Sequence, residues 1–226
     1  LMQENAVQAF MEDFNRRQTE QKIENYRRLN RFAKPGQIVF TGSSLMEQFP
    51  LYELIQGEGL PWQVYNRGIG GFVTTQLLEV LDVCVLQLRP AHVFINIGTN
   101  DMNGPDYSLA GMLERYGEIL RKIKEALPQV GLHLLAYYPV NREAAADPFM
   151  AEVLSFRTNA VLEEANRAVK ALAERAGAYF HDVSGGLKDE KGRLKAEYTV
   201  EGMHLYADGY KAVLDALLPV LKDLQK

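Results

Sequence analysis

Four short stretches hold residue types that acyl-transfer chemistry uses. "TGSS" (41–44) closes an apolar run that begins at Ile38, and "SLMEQF" continues from it in helix-like fashion. The chain has five serines, and two of them sit together at this junction. A serine on a tight strand-to-helix turn is exposed at a sheet edge, with its backbone N–H aimed into the same space. Gly42 lets the backbone turn, and Ser44 would begin the helix, where negative charge is favoured. The competing expectation is that Ser43 or Ser44 only caps that helix.

A tetrahedral oxyanion needs donors aimed at it. "NRGIGG" (66–71) offers a backbone N–H at Gly71 without side-chain obstruction, and "GTND" (98–101) offers the side-chain amide of Asn100. Taken singly, the first is a flexible loop and the second a turn with an Asx cap. A serine nucleophile also needs a base. Of the four histidines, His92 and His133 lie in strand-like runs, where a structural imidazole is expected. His181 ends a strand-like run beside Asp182, and His204 follows Glu201 by three residues. An i, i+3 spacing within one turn can bring a carboxylate against a ring nitrogen, fixing its tautomer and stabilising the imidazolium.

These residues need a scaffold that gathers them. Strand patterns cover 37–41, 63–66, 92–97, 132–137 and 178–181, and helix patterns cover 74–88, 109–126, 151–176 and 207–222. Near-continuous Val/Ile/Leu strands alternating with helices predict a parallel sheet covered on both faces, five strands fitting a flavodoxin-like open sheet. Ligands bind such sheets at the carboxyl ends of the strands. The ends read "TGSS", "NRGIGG", "GTND", "YYPVNRE" and "HDVSGG", so small and polar residues collect along one edge. Ahead of the sheet, residues 4–33 show helical spacing of Val7, Phe10, Met11, Phe14, Ile23, Tyr26, Leu29 and Phe32 up to Lys34-Pro35-Gly36. The division expected is a helical appendage over 1–36 and a single domain over 37–226. The plain expectation for the appendage is a helix packed on the domain's outside, and a homodimer formed through it is the second.

"FTGSSLM", "NRGIGG", "IGTND" and "VEGMHLYADGY" stand in the order and rough spacing of the four hallmark blocks of the SGNH/GDSL hydrolases. From about residue 37 to 224 the chain resembles that family, which includes platelet-activating-factor acetylhydrolase-like esterases. The resemblance implies a three-layer α/β/α sandwich and ester hydrolysis by a Ser–His–acid set. It puts the nucleophile on Ser44, the oxyanion donors on Gly71, Asn100 and the Ser44 N–H, the histidine on His204 and the acid on Glu201. Three positions depart from the family pattern. Ser43 replaces the usual Asp, Phe72 stands where Asp often follows the glycine, and Glu201 replaces Asp as the acid. Asp101 and Asp182 are expected to support loops. Arg67 points either into the pocket or to the sheet edge. The 137–150 loop could wall the site, with Phe72, Tyr138 and Phe149 as aromatic candidates.

The bulk properties narrow the function classes. The net charge is −4 with both signs interspersed, which gives no electrostatic footprint for nucleic acid. No apolar run approaches the ~18 residues of a membrane span. The expected setting is cytoplasmic, the expected partner a small-molecule ester. The one cysteine, Cys84, lies in the apolar "LEVLDVCVLQL" and is expected to be a buried thiol. No metal-ligand cluster and no cofactor motif is present in the sequence. Two rival readings remain. One is a phosphate- or nucleotide-binding module on the same sheet, against which stand the missing Walker lysine and the missing Gly-x-Gly-x-x-Gly. The other is a folded but degenerate relative, weakened by Glu201.

Overall fold

A computed structural model describes residues 2–224. The helices are α1 (Met2–Leu29), α2 (Ser44–Glu47), α3 (Leu51–Leu54), α4 (Thr74–Glu79), α5 (Leu81–Cys84), α6 (Leu109–Ala126), α7 (Pro148–Phe156), α8 (Asn159–Arg175) and α9 (Ala207–Asp223). The strands are β1 (Ile38–Gly42), β2 (Val64–Gly68), β3 (His92–Asn96), β4 (Gly131–Leu135) and β5 (Tyr179–His181). They form one five-stranded sheet in the order β2-β1-β3-β4-β5, every pair parallel. Alternation along the strands serves both faces. Val93, Ile95, Leu132 and Leu134 pack toward α4, α5, α6 and α8, while Ile38, Phe40 and Phe94 pack toward α2, α3 and α9. The result is a three-layer α/β/α sandwich with an additional N-terminal helix. Chain order reverses on either side of β1, so the crevice at the carboxyl ends of β1 and β3 is the topological switch point where ligands bind.

Two expected helices are broken. Residues 74–88 form α4, α5 and a 3₁₀ turn, Leu86–Leu88, with the break at Val80. Leu77, Leu81, Cys84, Val85 and Leu88 all face inward, each at most 3% exposed, at the i, i+4, i+7, i+8 and i+11 spacing of one helical stripe, and Val80 at the break leaves the helical region with φ −115 and ψ 20. Residues 151–176 divide at Arg157. The second piece starts at Thr158, whose hydroxyl accepts the Val161 N–H at 3.3 Å. The first starts earlier than expected because Asp147 caps it, accepting the Met150 N–H at 2.8 Å, with Pro148 at the first helical position.

Among the described residues, α1 is anchored by its C-terminal half. Ile23 and Tyr26 pack on the body, the Tyr26 hydroxyl donates to the Gly68 carbonyl at 2.7 Å, and Lys22 pairs with Glu47. Arg67 is buried beneath this helix. Its Nε donates to Asn30 Oδ1 at 3.0 Å and its guanidinium lies over the Tyr26 ring, so it serves helix docking at the sheet edge. Val7, Phe10, Met11 and Phe14 stay exposed. No described helix is long and apolar enough to cross a membrane.

His92, His133 and His181 form a ladder across β3, β4 and β5. His92 Nδ1 and His133 Nε2 are 3.1 Å apart, and His133 Nδ1 and His181 Nε2 2.9 Å. His133 is stacked on Phe94 and buried. Burial, then the neighbouring His181 and His92, lowers its pKa from 6.5 to about 3, and burial lowers that of His181 as well. The unfolded chain therefore binds more protons than the folded one below pH 6.5. Stability is full above that value and drains as pH falls toward 3. Urea melts are expected to show a loss of about 2 kcal/mol between pH 7.5 and 5, above the range where carboxylates titrate. His133→Gln, which cannot titrate, is expected to flatten that slope; an unchanged slope would deny the ladder its role.

Candidate active site

Ser44 is the first residue of α2, directly after β1, and Ser43 precedes it in extended conformation. Its N–H heads the helix and has no intrahelical acceptor. The Ser44 hydroxyl is 2.8 Å from His204 Nε2, although the two are 160 positions apart in the chain. On the far side of the ring, His204 Nδ1 is 2.5 Å from Glu201 Oε1, and the same oxygen accepts the His204 backbone N–H at 3.2 Å.

The loop carrying Glu201 and His204 is fixed from within. The Thr199 hydroxyl donates to the His204 carbonyl at 2.9 Å and accepts the Gly202 N–H at 2.8 Å. Gly202 has φ +98, and a β-carbon there would come within 2.5 Å of the Asn141 carbonyl. The tight turn at this glycine lets the longer glutamate fold back on the ring three residues later. Burial raises the Glu201 pKa, but the His204 ring, its backbone N–H and the Arg157 charge outweigh that, so the group sits below the ordinary carboxylate range. Glu201 is thus ionised at neutral pH and can stabilise an imidazolium.

The loop carrying Gly71 lies beside the same serine, and Asn100 is hydrogen-bonded to that loop at Phe72. Gly71 adopts φ +78, a conformation that disfavours other residues, and no described acceptor takes its N–H. A β-carbon on Gly70 would lie 3.8 Å from Ser44 Cβ, so this loop runs against the serine. Glu47, one turn after Ser44, accepts the Gly70 N–H and holds the loop there. Asn100 opens the 3₁₀ turn after β3, and its Nδ2 donates to the Phe72 carbonyl at 3.0 Å, leaving the second amide hydrogen available. Phe72 itself is buried in the core.

The arrangement can deprotonate the Ser44 hydroxyl through His204, with Glu201 against the far nitrogen of the ring. The signature of the GDSL-like lipase/acylhydrolase family matches residues 43–212. The chain belongs to this family. Among its relatives, it is 24% identical over 201 residues to platelet-activating factor acetylhydrolase IB subunit alpha2 of Rattus norvegicus, covering 86% of this chain and 82% of that one. It is 28% identical over 194 residues to the alpha1 subunit of Bos taurus, covering 83% and 76%. A solved structure from Streptococcus pneumonia, provisionally named a platelet activating factor, superposes with a TM-score of 0.84 at 32% identity, covering 96% of this chain and 98% of that one. Membership of the GDSL family makes the chain an acylhydrolase acting on esters.

Other sequence candidates fall elsewhere in this GDSL fold. His181 belongs to the histidine ladder, and Asp182 accepts the Ser184 N–H and hydroxyl at 3.0 and 2.6 Å. Asp101 braces loops, accepting from Thr74 N at 3.0 Å, Thr74 Oγ1 at 2.6 Å and Arg115 Nη2 at 3.1 Å. Cys84 is buried, and burial pushes its thiol up to about 12. Tyr138 is in the core beneath α9, so it does not line the site, and Phe149 is exposed. Ser43, at the position of the family's Asp, is buried with no hydrogen-bond partner for its hydroxyl. No group of described residues has the make-up of a metal site. Sequence spacing did not reveal Glu47 or Arg157. The one available signal for Arg157 was a lone cation in the apolar "VLSFRTN", ahead of the capping threonine.

Proposed function

We propose that the protein is a serine esterase that cleaves small or medium acyl esters through Ser44, His204 and Glu201. The observation carrying this reading is the unbroken chain from the Ser44 hydroxyl through both His204 nitrogens to the Glu201 carboxylate. In the reaction, His204 Nε2 takes the hydroxyl proton as Ser44 Oγ attacks the ester carbonyl. The tetrahedral oxyanion is held by the Ser44 N–H, the Gly71 N–H and the Asn100 amide. His204 gives the proton to the departing alcohol, leaving an acyl-serine. Water, deprotonated by His204, then attacks the acyl carbon; the carboxylic acid leaves and Ser44 recovers its proton. None of these steps calls on a cofactor. An open groove runs between α1 and residues 69–72, lined by Glu12, Arg16, Thr19, Gly71 and Phe72, so the oxyanion loop borders open space.

The test is labelling with a fluorophosphonate, followed by mass spectrometry of the modified peptide. One adduct on Ser44, lost in His204→Ala, is the expected result. A folded protein left unmodified at Ser44 would refute the assignment.

A further inference from the structure

We infer that Arg157 is a positioning residue for the oxyanion site, its guanidinium fixing the side-chain amide of Asn100 so that the NH₂ faces the reacting oxygen. This rests on the esterase reading of Ser44. Arg157 stands at the break between α7 and α8 and is 2% exposed. Its Nη2 donates to Asn100 Oδ1 at 2.7 Å and to Asn103 Oδ1 at 2.6 Å, and its Nε donates to Asn103 Oδ1 at 3.0 Å. Its Nη1 meets the Met203 sulfur, one residue before His204. One side chain thus touches both the turn after β3 and the histidine loop.

A buried guanidinium is costly to desolvate unless its donors are matched. Among the described residues, no carboxylate forms an ion pair with Arg157. Burial lowers its pKa to about 10, with Glu201 and Asp101 opposing this through space. Its oxygen partners are two asparagine amides. That pattern defines the orientation of Asn100. With Oδ1 against the guanidinium, Nδ2 is left to give one hydrogen to the Phe72 carbonyl at 3.0 Å and the other to the site. In the reversed amide, NH₂ would face the cation and Oδ1 would face the Phe72 carbonyl. Both contacts would be repulsive, and a lone pair would point at the developing oxyanion. Without Arg157, the remaining donor to Asn100 Oδ1 is Asn103 Nδ2 at 3.4 Å, too long to hold it firmly.

The experiment is a double-mutant cycle on p-nitrophenyl acetate, comparing Arg157→Met, Asn100→Ala and the double variant, with thermal melts to confirm folding. Asn100→Ala is expected to lower kcat roughly 10²–10³-fold, and Arg157→Met roughly 10–10²-fold with KM little changed. In the Asn100→Ala background, Arg157→Met is expected to change kcat by less than about threefold, because the group through which it acts has gone. An equal loss in both backgrounds, or a loss confined to KM, overturns the proposal. If Arg157→Met does not fold, Arg157→Lys, which keeps the charge but loses the planar guanidinium fork, goes through the same cycle under the same criterion. A second readout needs no turnover. In ¹H–¹⁵N spectra, the Asn100 side-chain amide, assigned by its disappearance in Asn100→Ala, is expected to be protected from exchange in the parent and to lose protection in the Arg157 variant. Unchanged protection overturns the proposal. A parent protein that neither hydrolyses the ester nor takes a fluorophosphonate sinks the esterase reading instead, and the amide spectrum still decides on Arg157.

Discussion

Replacing Ser44 with alanine is expected to reduce kcat for a simple ester by about 10⁶-fold, the scale seen when a serine nucleophile is removed from a triad enzyme. The loss is this large because the hydroxyl is the group that forms the acyl-enzyme, and no second nucleophile is presented to His204. Ser43 is adjacent in sequence, but its hydroxyl is buried, and the hydroxyl 2.8 Å from His204 Nε2 belongs to Ser44. Ser43→Ala should therefore remain active while Ser44→Ala does not. The folded state should hardly notice either change, since the Ser44 side chain caps no helix. The check is steady-state turnover of p-nitrophenyl acetate alongside thermal melts of both variants. Activity lost in Ser43→Ala and kept in Ser44→Ala would move the nucleophile by one residue.

The second large effect concerns the acid. Glu201→Ala is expected to cost roughly 10⁴-fold in kcat, comparable to removing the acid of a serine-protease triad. Glu201→Gln should cost less than Glu201→Ala, for a geometric reason. The ring nitrogen and the backbone N–H of His204 converge on a single oxygen, Oε1. A glutamine carbonyl in that place can accept both hydrogens, so the ring keeps its proton on Nδ1 and Nε2 stays free for Ser44. What is lost is the negative charge that stabilises the imidazolium. Parallel kcat measurements on the two variants separate tautomer control from charge. If Glu201→Ala retains more than a tenth of the parent activity, the carboxylate is idle and the role belongs to another group.

Much of this protein could be read from its residues before any coordinates. β1, β3 and β4 were visible because a parallel sheet covered on both faces needs near-continuous apolar runs, such as Ile38–Phe40, Val93–Ile95 and Leu134–Ala136. α6 matched its expected bounds, 109–126, because its apolar residues recur at helical spacing and Ser108 caps it, accepting the Gly111 N–H at 3.2 Å. The helix breaks at Val80 and Arg157 were not legible. No glycine or proline marks Val80, and the inward-facing residues 77, 81, 84, 85 and 88 keep the spacing of one unbroken helical stripe, so the pattern carries no sign of the interruption. For the site, spacing set Glu201 three residues before His204, while the choice of Ser44, Gly71 and Asn100 came from the resemblance of four ordered blocks to the SGNH/GDSL hydrolases, since the residues alone left Ser43 and Ser44 undivided.

Tertiary structure decided what depends on two distant segments meeting. It put His204 rather than His181 against the serine, because β4 and β5 draw His181 into a ladder with His133. It buried Arg67 under α1 and not in the site, because a lone strand gives no sign of which face a helix will cover. It brought Arg157 to Asn100 across 57 positions of sequence. Sequence spacing encodes contacts within a turn or along a strand. Contacts between elements follow from the sheet order, and the way each loop is braced is fixed only when the layers close.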